Sequence, residues 1–428
     1  MNKEHAVSFK SLETILPVFE DNILEKIKKS SPISVEPEGD DIPRIYITGE
    51  IPTKKENVKA KLEYVSKTHK FESYIKIKLQ GSYTMTLPKK NFTIQLFEDE
   101  YRSIPYYEDF KGWGKTNHYV LKADYNDITH ARNVVAANLW GKIVESRSDY
   151  DTLPEELINS PNNGAIDGFP VTVYLNGKFQ GLYTLTVSKT AFLFGMDKNN
   201  ENHVALNAER NDEGKQELMY NPCNFREMWS GVDGDYWSYV TGKDALDSWT
   251  LLYNAINSGN ISEIEKYLDI QSVRDYFIFQ NVILGVDGYA KNMMLLTYDK
   301  TKWYLSPYDL NETFGIFTTE MIPSDGTGDN YNLNRYNVLW EMLLEVYSVE
   351  DTANRYRELR STVLSKKSII EEFEKFIGIY GEDEYIKDTT VYPEIPNVSE
   401  NNIYYLRQFI SDRLDYLDTN WLGGVLNG

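Results

Sequence analysis

Apolar and polar positions divide the chain into a strand-rich first half and a helix-rich second half. Short runs with apolar alternation predict strands over 44–47, 60–65, 74–79, 92–96 and 119–123. In Ile75-Lys76-Ile77-Lys78-Leu79 the alternation is strict, which indicates one buried and one solvated face. Asn176-Gly177 between apolar runs at 171–175 and 180–185 is a strong hairpin signal. The first half therefore predicts an antiparallel sheet.

Helical spacing begins inside the first half and dominates the second. An amphipathic helix is predicted from about 131 to 144, with Asp127 or Thr129 available as its N-cap. After residue 196 the pattern is mostly helical. Helices are predicted over 262–268, 273–284, 337–346, 351–364, 367–377 and 400–417.

The N-terminal segment has a separate pattern. Residues 9–29 show helical periodicity, and residues 30–43 are polar, acidic and proline-containing, as in a linker. We expect a helical arm and linker over 1–36, which either docks on a partner or packs on its own domain. Residues 324–330 predict a loop that is either mobile and ligand-bearing or only a solvated connection.

Composition narrows the class of protein. The chain has 428 residues and a formal charge of −20, which argues against a nucleic-acid partner. Cys223 is the only cysteine, so neither an intrachain disulfide nor a cysteine zinc site is expected. The N-terminus shows no signal peptide and the chain no membrane span, so we expect a cytoplasmic protein. Incorporation into a phage particle stays open.

Aromatic residues make up 14% of the chain, with 32 tyrosines. They fit either a large core with a tyrosine-rich surface or a face that binds sugar or protein. The sequence does not separate these alternatives.

Candidate chemistry lies at residues 287–309. Asp287 is followed at plus five by Asn292, then by an apolar hairpin over 293–305 and by Asp309. Phosphotransferases of the protein-kinase type use this order: a base Asp, a metal-binding Asn, a hairpin and a metal-binding Asp. Hard oxygen ligands of this kind suit Mg²⁺. The alternative is that these residues cap turns, where Asp and Asn are common.

The hairpin and the division into halves together predict the fold class. We expect an α+β, bilobal, protein-kinase-like fold, with an antiparallel β-rich N-lobe over 37–195 and a mostly helical C-lobe over 196–428. The catalytic hairpin lies in the C-lobe.

With these motifs in view, the chain resembles the CotH family of spore-coat atypical kinases from about residue 43 to 421. Several separated segments carry the likeness, and together they are specific. They are Gln80-Gly81-Ser82 with 88–92, 121–127 with Ala131-Arg132-Asn133, 173–177 with 181–183, 287–292 with 308–309, and 406–410 with Arg413-Leu414.

The resemblance implies ATP-dependent phosphorylation of Ser or Thr in a protein substrate, with Mg²⁺ or Mn²⁺. Asp287 would be the base, and Asn292 and Asp309 the metal ligands. Nucleotide binding would fall to the glycine turn, a lysine and a supporting arginine: Gly81, Ser82, Lys90 (less surely Lys89) and Arg132. The alternatives are a surface role for Lys90, a structural ion pair for Arg132 and a capping role for Asn133.

Three departures from the family pattern bear on this assignment. The family commonly has Trp-Asp-x-Asp, whereas this chain has Tyr308-Asp309-Leu310-Asn311, which weakens a two-metal site. The phosphate turn carries only Gly81 rather than several glycines. Val187-Ser188-Lys189 follows Gly181-Leu182-Tyr183 where relatives usually carry a Glu.

A second likeness implies a different class of function. Residues 146–151 and 160–170 resemble the CotH-type proteins of phages of Gram-positive bacteria. That resemblance implies a virion component with tail or baseplate proteins as partners. The fold would then serve structure or host contact, with kinase activity kept or lost.

Overall fold

The computed structural model describes residues 42–81, 83–197, 199–208, 243–285, 287–289, 291–316, 337–394 and 403–422. The described residues form two compact units. The first draws on Met1–Val135, Gly168–Ser188 and Ile370–Gln408; the second draws on Ala136–Asp167, Lys189–Ile369 and Phe409–Gly428. The predicted arm at 1–36 and the predicted loop at 324–330 lie outside the described residues.

The first unit is built on a closed barrel of seven strands. Around the barrel the order is β1-β2-β3-β4-β5-β7-β6. The strands are β1 (Arg44–Gly49), β2 (Val58–Val65), β3 (Lys70–Leu79), β4 (Phe92–Phe97), β5 (His118–Lys122), β6 (Gly168–Leu175) and β7 (Lys178–Val187).

The barrel overturns the predicted fold class. The α+β assignment holds in part, but the bilobal, protein-kinase-like plan with an antiparallel N-lobe is wrong. β1 pairs in parallel with β6, with Ile45 opposite Val173, and this pairing closes a sheet of mixed direction. Closure leaves no unpaired sheet edge. The pairing joins segments far apart in the sequence, so local periodicity could not predict it.

Local predictions for the barrel strands are confirmed. In β3, Ile75, Ile77 and Leu79 are buried while the lysines between them are partly exposed. At the β6–β7 turn, Asn176 and Gly177 both have positive φ, 48° and 76°. Positive φ at both central residues is the requirement of the tight hairpin turn that the Asn-Gly pair predicts.

Among the described residues, the helices agree with the predicted ones to within a few residues, and three more are present, α2, α3 and α9, that the pattern did not predict. The helices are α1 (Arg132–Glu145), α2 (Glu155–Ile158), α3 (Lys243–Ser258), α4 (Ile261–Tyr267), α5 (Ile270–Ile283), α6 (Val338–Glu345), α7 (Val349–Arg360), α8 (Lys366–Tyr380), α9 (Glu382–Val391) and α10 (Ile403–Leu417).

The second unit contains a three-stranded sheet in the order β10-β9-β8, with all pairs antiparallel. Its strands are β8 (Val204–Asn207), β9 (Met293–Thr297) and β10 (Trp303–Pro307). β9 and β10 confirm the predicted hairpin, and β8 adds a third strand. Helix α5 packs beside this sheet, and its N-cap Asp269 donates its backbone N–H to the Trp303 carbonyl at 2.9 Å.

Among the described helices, none combines the length and the apolar character that crossing a bilayer requires.

Candidate active site

The open end of the β9–β10 hairpin brings two predicted metal ligands together. Met293 pairs with Pro307 in the last register position of the hairpin. One step beyond that pair, the Tyr308 backbone N–H donates to the Asn292 carbonyl at 2.9 Å. Asp309 follows Tyr308 directly. Asn292 and Asp309 therefore lie at the same end of one hairpin.

Both residues have unusual backbone conformations. Asn292 has φ 57° and Asp309 has φ 56°, in the left-handed region. Side chains other than glycine rarely adopt this region, although Asn and Asp tolerate it best. Backbone strain of this kind is found preferentially at functional sites. Asn292 and Asp309 are two of eleven non-glycine residues with positive φ in the described part of the chain, so this conformation agrees with the assignment to a cation without being specific to it.

Asp287 lies on a short 3-10 turn, Asp287–Tyr289, that precedes the hairpin. Its carbonyl accepts a hydrogen bond from the Lys291 backbone N–H at 2.8 Å. The Lys291 ammonium lies 3.3 Å from the Asp287 carboxylate, whose side chain is 19% exposed. The carboxylate thus lies close to Asn292 in sequence and keeps partial access to solvent.

The donor set at the hairpin suits a hard divalent cation. Asn292 offers an amide oxygen and Asp309 a carboxylate, and both side chains are partly exposed. Mg²⁺ is commonly held by one or two protein oxygens together with phosphate and water oxygens. Over the described ranges, no three or more His, Cys, Asp and Glu side chains group as metal ligands. A cation at the hairpin would therefore depend on the amide and on substrate oxygens as well.

A lysine adds positive charge beside this hairpin end. The Lys189 ammonium lies 4.4 Å from the centroid of the Tyr308 ring, a cation–π distance. Tyr308 immediately precedes Asp309. Lys189 thus packs on the neighbour of a predicted metal ligand.

The glycine turn lies in the first unit and requires its glycine. Gly81 has φ 88°, and a Cβ there would lie 2.1 Å from the Thr84 hydroxyl oxygen. The Lys90 ammonium donates to the Met85 carbonyl at 2.7 Å and also to the Leu87 carbonyl. Lys90 therefore holds the chain beside the turn together. Ser82 lies outside the described residues.

Lys89, the neighbour of Lys90, is buried, with 1% of its residue surface exposed. Its ammonium donates to Asp388 on α9 at 2.8 Å and to the Leu182 carbonyl on β7. Burial lowers the pKa of Lys89, and the Asp388 charge opposes that shift. The side chain is thus fully engaged inside the unit.

Asp388 is the centre of this buried cluster. It accepts from the Leu182 backbone N–H at 2.8 Å, and its second oxygen lies 3.1 Å from His130 Nε2. Burial acts to raise the pKa of Asp388, but Lys89 and His130 outweigh it and hold that pKa far below its usual range. Neither Asp388 nor His130 was predicted as a partner. Asp388 lies 299 residues from Lys89, so no local pattern could have indicated it.

Arg132 forms a buried ion pair, which is the alternative to nucleotide binding that the sequence left open. It is fully buried, and its guanidinium pairs with the Asp127 carboxylate at 2.5 Å. Asp127 also accepts from the backbone N–H groups of Ala131 and Arg132 at 3.1 and 2.9 Å, so its side chain satisfies free N–H groups at the start of α1. Burial acts to raise the pKa of Asp127, yet Arg132 and these hydrogen bonds lower it. Any support of a nucleotide by Arg132 stays a prediction.

Comparison with known families identifies the relatives of this chain. The family described as CotH kinase protein matches residues 77–417. The chain belongs to the CotH kinase family. The matched span contains every predicted site residue, from Gly81 to Asp309. It begins after β1 and β2, the strands that complete the barrel. Membership of this family supports a kinase-like function. A search of curated proteins finds no match.

Within this CotH chain, the segments 146–151 and 160–170, from which the sequence predicted a phage-type likeness, have internal partners. Arg147 pairs with Asp149 at 2.8 Å and with Asp269 at 2.9 Å. The Asn162 amide donates to the carbonyls of Ala137 and Ile166 at 2.9 and 2.8 Å. These contacts give Arg147 and Asn162 a structural role within the second unit.

Proposed function

We propose that the chain is a CotH-like protein kinase that transfers the γ-phosphate of ATP to Ser or Thr of a protein, with Mg²⁺ or Mn²⁺. One observation carries the proposal. Asn292 and Asp309 lie at the same end of a hairpin, joined by the hydrogen bond from Tyr308 to Asn292 at 2.9 Å. Asp287 precedes Asn292 by five residues, and Asp309 follows the hairpin, which is the order used by phosphotransferases of the protein-kinase type.

In this proposal each residue of the hairpin region has one role. The Asp287 carboxylate accepts the proton of the substrate hydroxyl as it attacks. The Asn292 amide oxygen and the Asp309 carboxylate hold the cation. When bound, Mg²⁺ neutralises charge on the phosphates and orients them.

The resemblance to the family also assigns nucleotide contacts to Gly81, Ser82, Lys90 and Arg132, and these assignments stay a prediction. Gly81 lets the backbone turn without a side chain, which suits close approach to phosphate oxygens. Lys90 would neutralise phosphate charge, and Arg132 would support this region through its pair with Asp127. Because the overall charge is −20, a cationic protein substrate fits better than an acidic one.

The test is nucleotide binding and phosphate transfer in two matched variants. Asp309→Asn removes the carboxylate from the open end of the hairpin. Asp299→Asn makes the same change at the exposed turn at the other end, where Asp299 accepts from Thr301 N–H at 2.7 Å. In the wild type, ATP with Mg²⁺ should raise Tm, by mass action, and label protein Ser or Thr from γ-labelled ATP.

Asp309→Asn should lose the Mg²⁺-dependent part of the shift and the transfer, whereas Asp299→Asn should keep both. Unchanged transfer in Asp309→Asn would remove Asp309 from the mechanism. No nucleotide-dependent shift in the wild type, together with tight association with a phage tail complex, would instead favour the virion component that residues 146–151 and 160–170 resemble.

A further inference from the structure

Helix α5 packs against the turn that carries Asp287 and donates a hydrogen bond to it. Tyr276 on α5 is fully buried, and its hydroxyl donates to the carbonyl of Gly288 at 3.0 Å. Gly288 is the residue directly after Asp287. The hydrogen bond therefore orients the peptide group between Gly288 and Tyr289, next to the candidate base Asp287.

The next carbonyl of the same turn is held from α6. Tyr289 O accepts from the Trp340 indole N–H at 3.1 Å and from the Asn337 side-chain amide at 3.2 Å. Asn337 is also the N-cap of α6, because its side chain accepts from the Leu339 backbone N–H at 2.9 Å. The two donors to Tyr289 O are thus anchored by the start of a helix.

The side chains that hold the turn also pack on one another. The rings of Tyr276 and Trp340 are stacked, with 5.8 Å between centroids and 12° between planes. On the other side, a Cβ on Gly288 would lie 2.3 Å from the Gln280 side-chain oxygen, so the turn lies directly against α5. The Tyr289 hydroxyl donates back to the Gln280 carbonyl at 3.0 Å. The turn thus contacts α5 through both Gly288 and Tyr289.

We propose that Tyr276, Asn337 and Trp340 are positioning residues for phosphoryl transfer, because they hold the carbonyls of the two residues that follow Asp287. This inference rests on the proposed function. A general base must lie within hydrogen-bond distance of the proton that it accepts, and a displacement of about 1 Å can cost a hundredfold in rate. None of the three touches substrate in this proposal; they act through the orientation of Asp287.

The test compares two tyrosines that lose the same hydroxyl. Tyr276→Phe removes the bond to Gly288 and keeps the ring against Trp340. Tyr298→Phe is the matched control, since the buried Tyr298 hydroxyl donates to the Phe194 carbonyl at 2.8 Å, away from the 287–289 turn in sequence. Tyr276→Phe should lower kcat between about tenfold and a hundredfold and leave KM for ATP within about twofold. Tyr298→Phe should leave both constants near the wild type.

A second measurement reports on the turn itself. Backbone amide exchange of the segment 287–292 should be faster in Tyr276→Phe than in the wild type or in Tyr298→Phe, because local opening becomes easier. A purely structural role for Tyr276 would lower Tm in both variants alike and leave the kcat difference absent.

The outcomes separate this inference from the proposed function. If the wild type transfers phosphate and Tyr276→Phe keeps its kcat, or changes only KM, the positioning role is overturned and the kinase proposal stands. If the wild type binds no nucleotide and transfers no phosphate, both fail together. A selective loss of kcat with faster exchange at 287–292 supports both.

Discussion

Lys89 and Asp388 form a buried ion pair in the first unit, with 2.8 Å between Nζ and Oδ1 and 1% of each side chain exposed. The pair joins the segment before β4 to helix α9, which the sequence pattern did not predict. Every charged atom has further partners, since Lys89 also donates to Leu182 O and Asp388 also accepts from Leu182 N and lies 3.1 Å from His130 Nε2. A buried pair of charges is stable only when its geometry and hydrogen bonds are complete.

Removing one member of this pair should destabilise the protein strongly. Asp388→Ala leaves the Lys89 ammonium buried without its counter-charge, which typically costs about 3–5 kcal/mol. The double variant Lys89→Met with Asp388→Leu should lose less stability than Asp388→Ala, because no charge is left buried. Asp383→Ala, an exposed change on the same helix, is the control. Thermal melts of the wild type and the three variants measure the order of stability. A double variant less stable than Asp388→Ala would contradict this account.

Gly181 should tolerate no larger residue. It has φ +117°, and a Cβ there would lie 2.1 Å from the Asp388 carboxylate and 2.9 Å from the Lys89 side chain. Gly181→Ala therefore adds a clash to the backbone strain. Gly112→Ala is the matched control, because Gly112 has φ +76° with nothing within 4 Å of its Cβ. Strain alone costs about 1–2 kcal/mol, so Tm should fall clearly further for Gly181→Ala; equal losses would show that the clash is relieved.

Stability should depend on pH through Asp124. Burial raises the pKa of Asp124 from 3.8 to about 6, against the opposing charge of His130. The folded state thus holds this proton more tightly than the unfolded state. As pH rises from about 4 to about 6 the folded protein must give up this proton. The stability that comes from holding Asp124 protonated in the folded state is then lost. Each unit of pKa corresponds to about 1.4 kcal/mol.

Asp124→Asn should remove that dependence. The gain in Tm of Asp124→Asn over the wild type should be larger at pH 7.5 than at pH 4.5, because the buried charge is present in the wild type only at the higher pH. The charged groups that act on Asp124 are His130, Asp127, Lys122 and Lys89. Asp151→Asn at an exposed position should show no such trend. Parallel Tm curves for the wild type and Asp124→Asn would disprove the prediction.

Lys90 should matter for the nucleotide. Lys90→Met removes the ammonium that donates to the Met85 and Leu87 carbonyls beside the glycine turn. In the proposed function the same ammonium binds a phosphate of ATP. A hydrogen bond to a charged group contributes about 1.5–3 kcal/mol, so KM for ATP should rise roughly tenfold or more when that contact is lost. Lys59→Met, at an exposed strand position, should leave KM unchanged. A lower Tm with an unchanged KM would assign Lys90 to the structure of the turn alone.

The hairpin shows how far sequence reasoning reaches at the site. The apolar runs at 293–298 and 303–305 predicted two short strands, and the strands are Met293–Thr297 and Trp303–Pro307. Once two strands are joined by a short turn, their register follows from the turn, so Asn292 and Asp309 meet at its open end. The assignment of Lys90 over Lys89 had no such support, because the partner that engages Lys89 is supplied by a remote helix.

The sequence by itself determined most strands, most helices, two candidate caps for α1 and the hairpin, because each depends on residues a few positions apart. Only the tertiary structure decided that β1 pairs in parallel with β6 to close a barrel. It also decided that Asp388 neutralises Lys89. Contacts between such distant segments depend on the free energy of the whole fold, since the entropy of closing a long loop must be offset by burial and hydrogen bonding elsewhere. No local pattern records that balance.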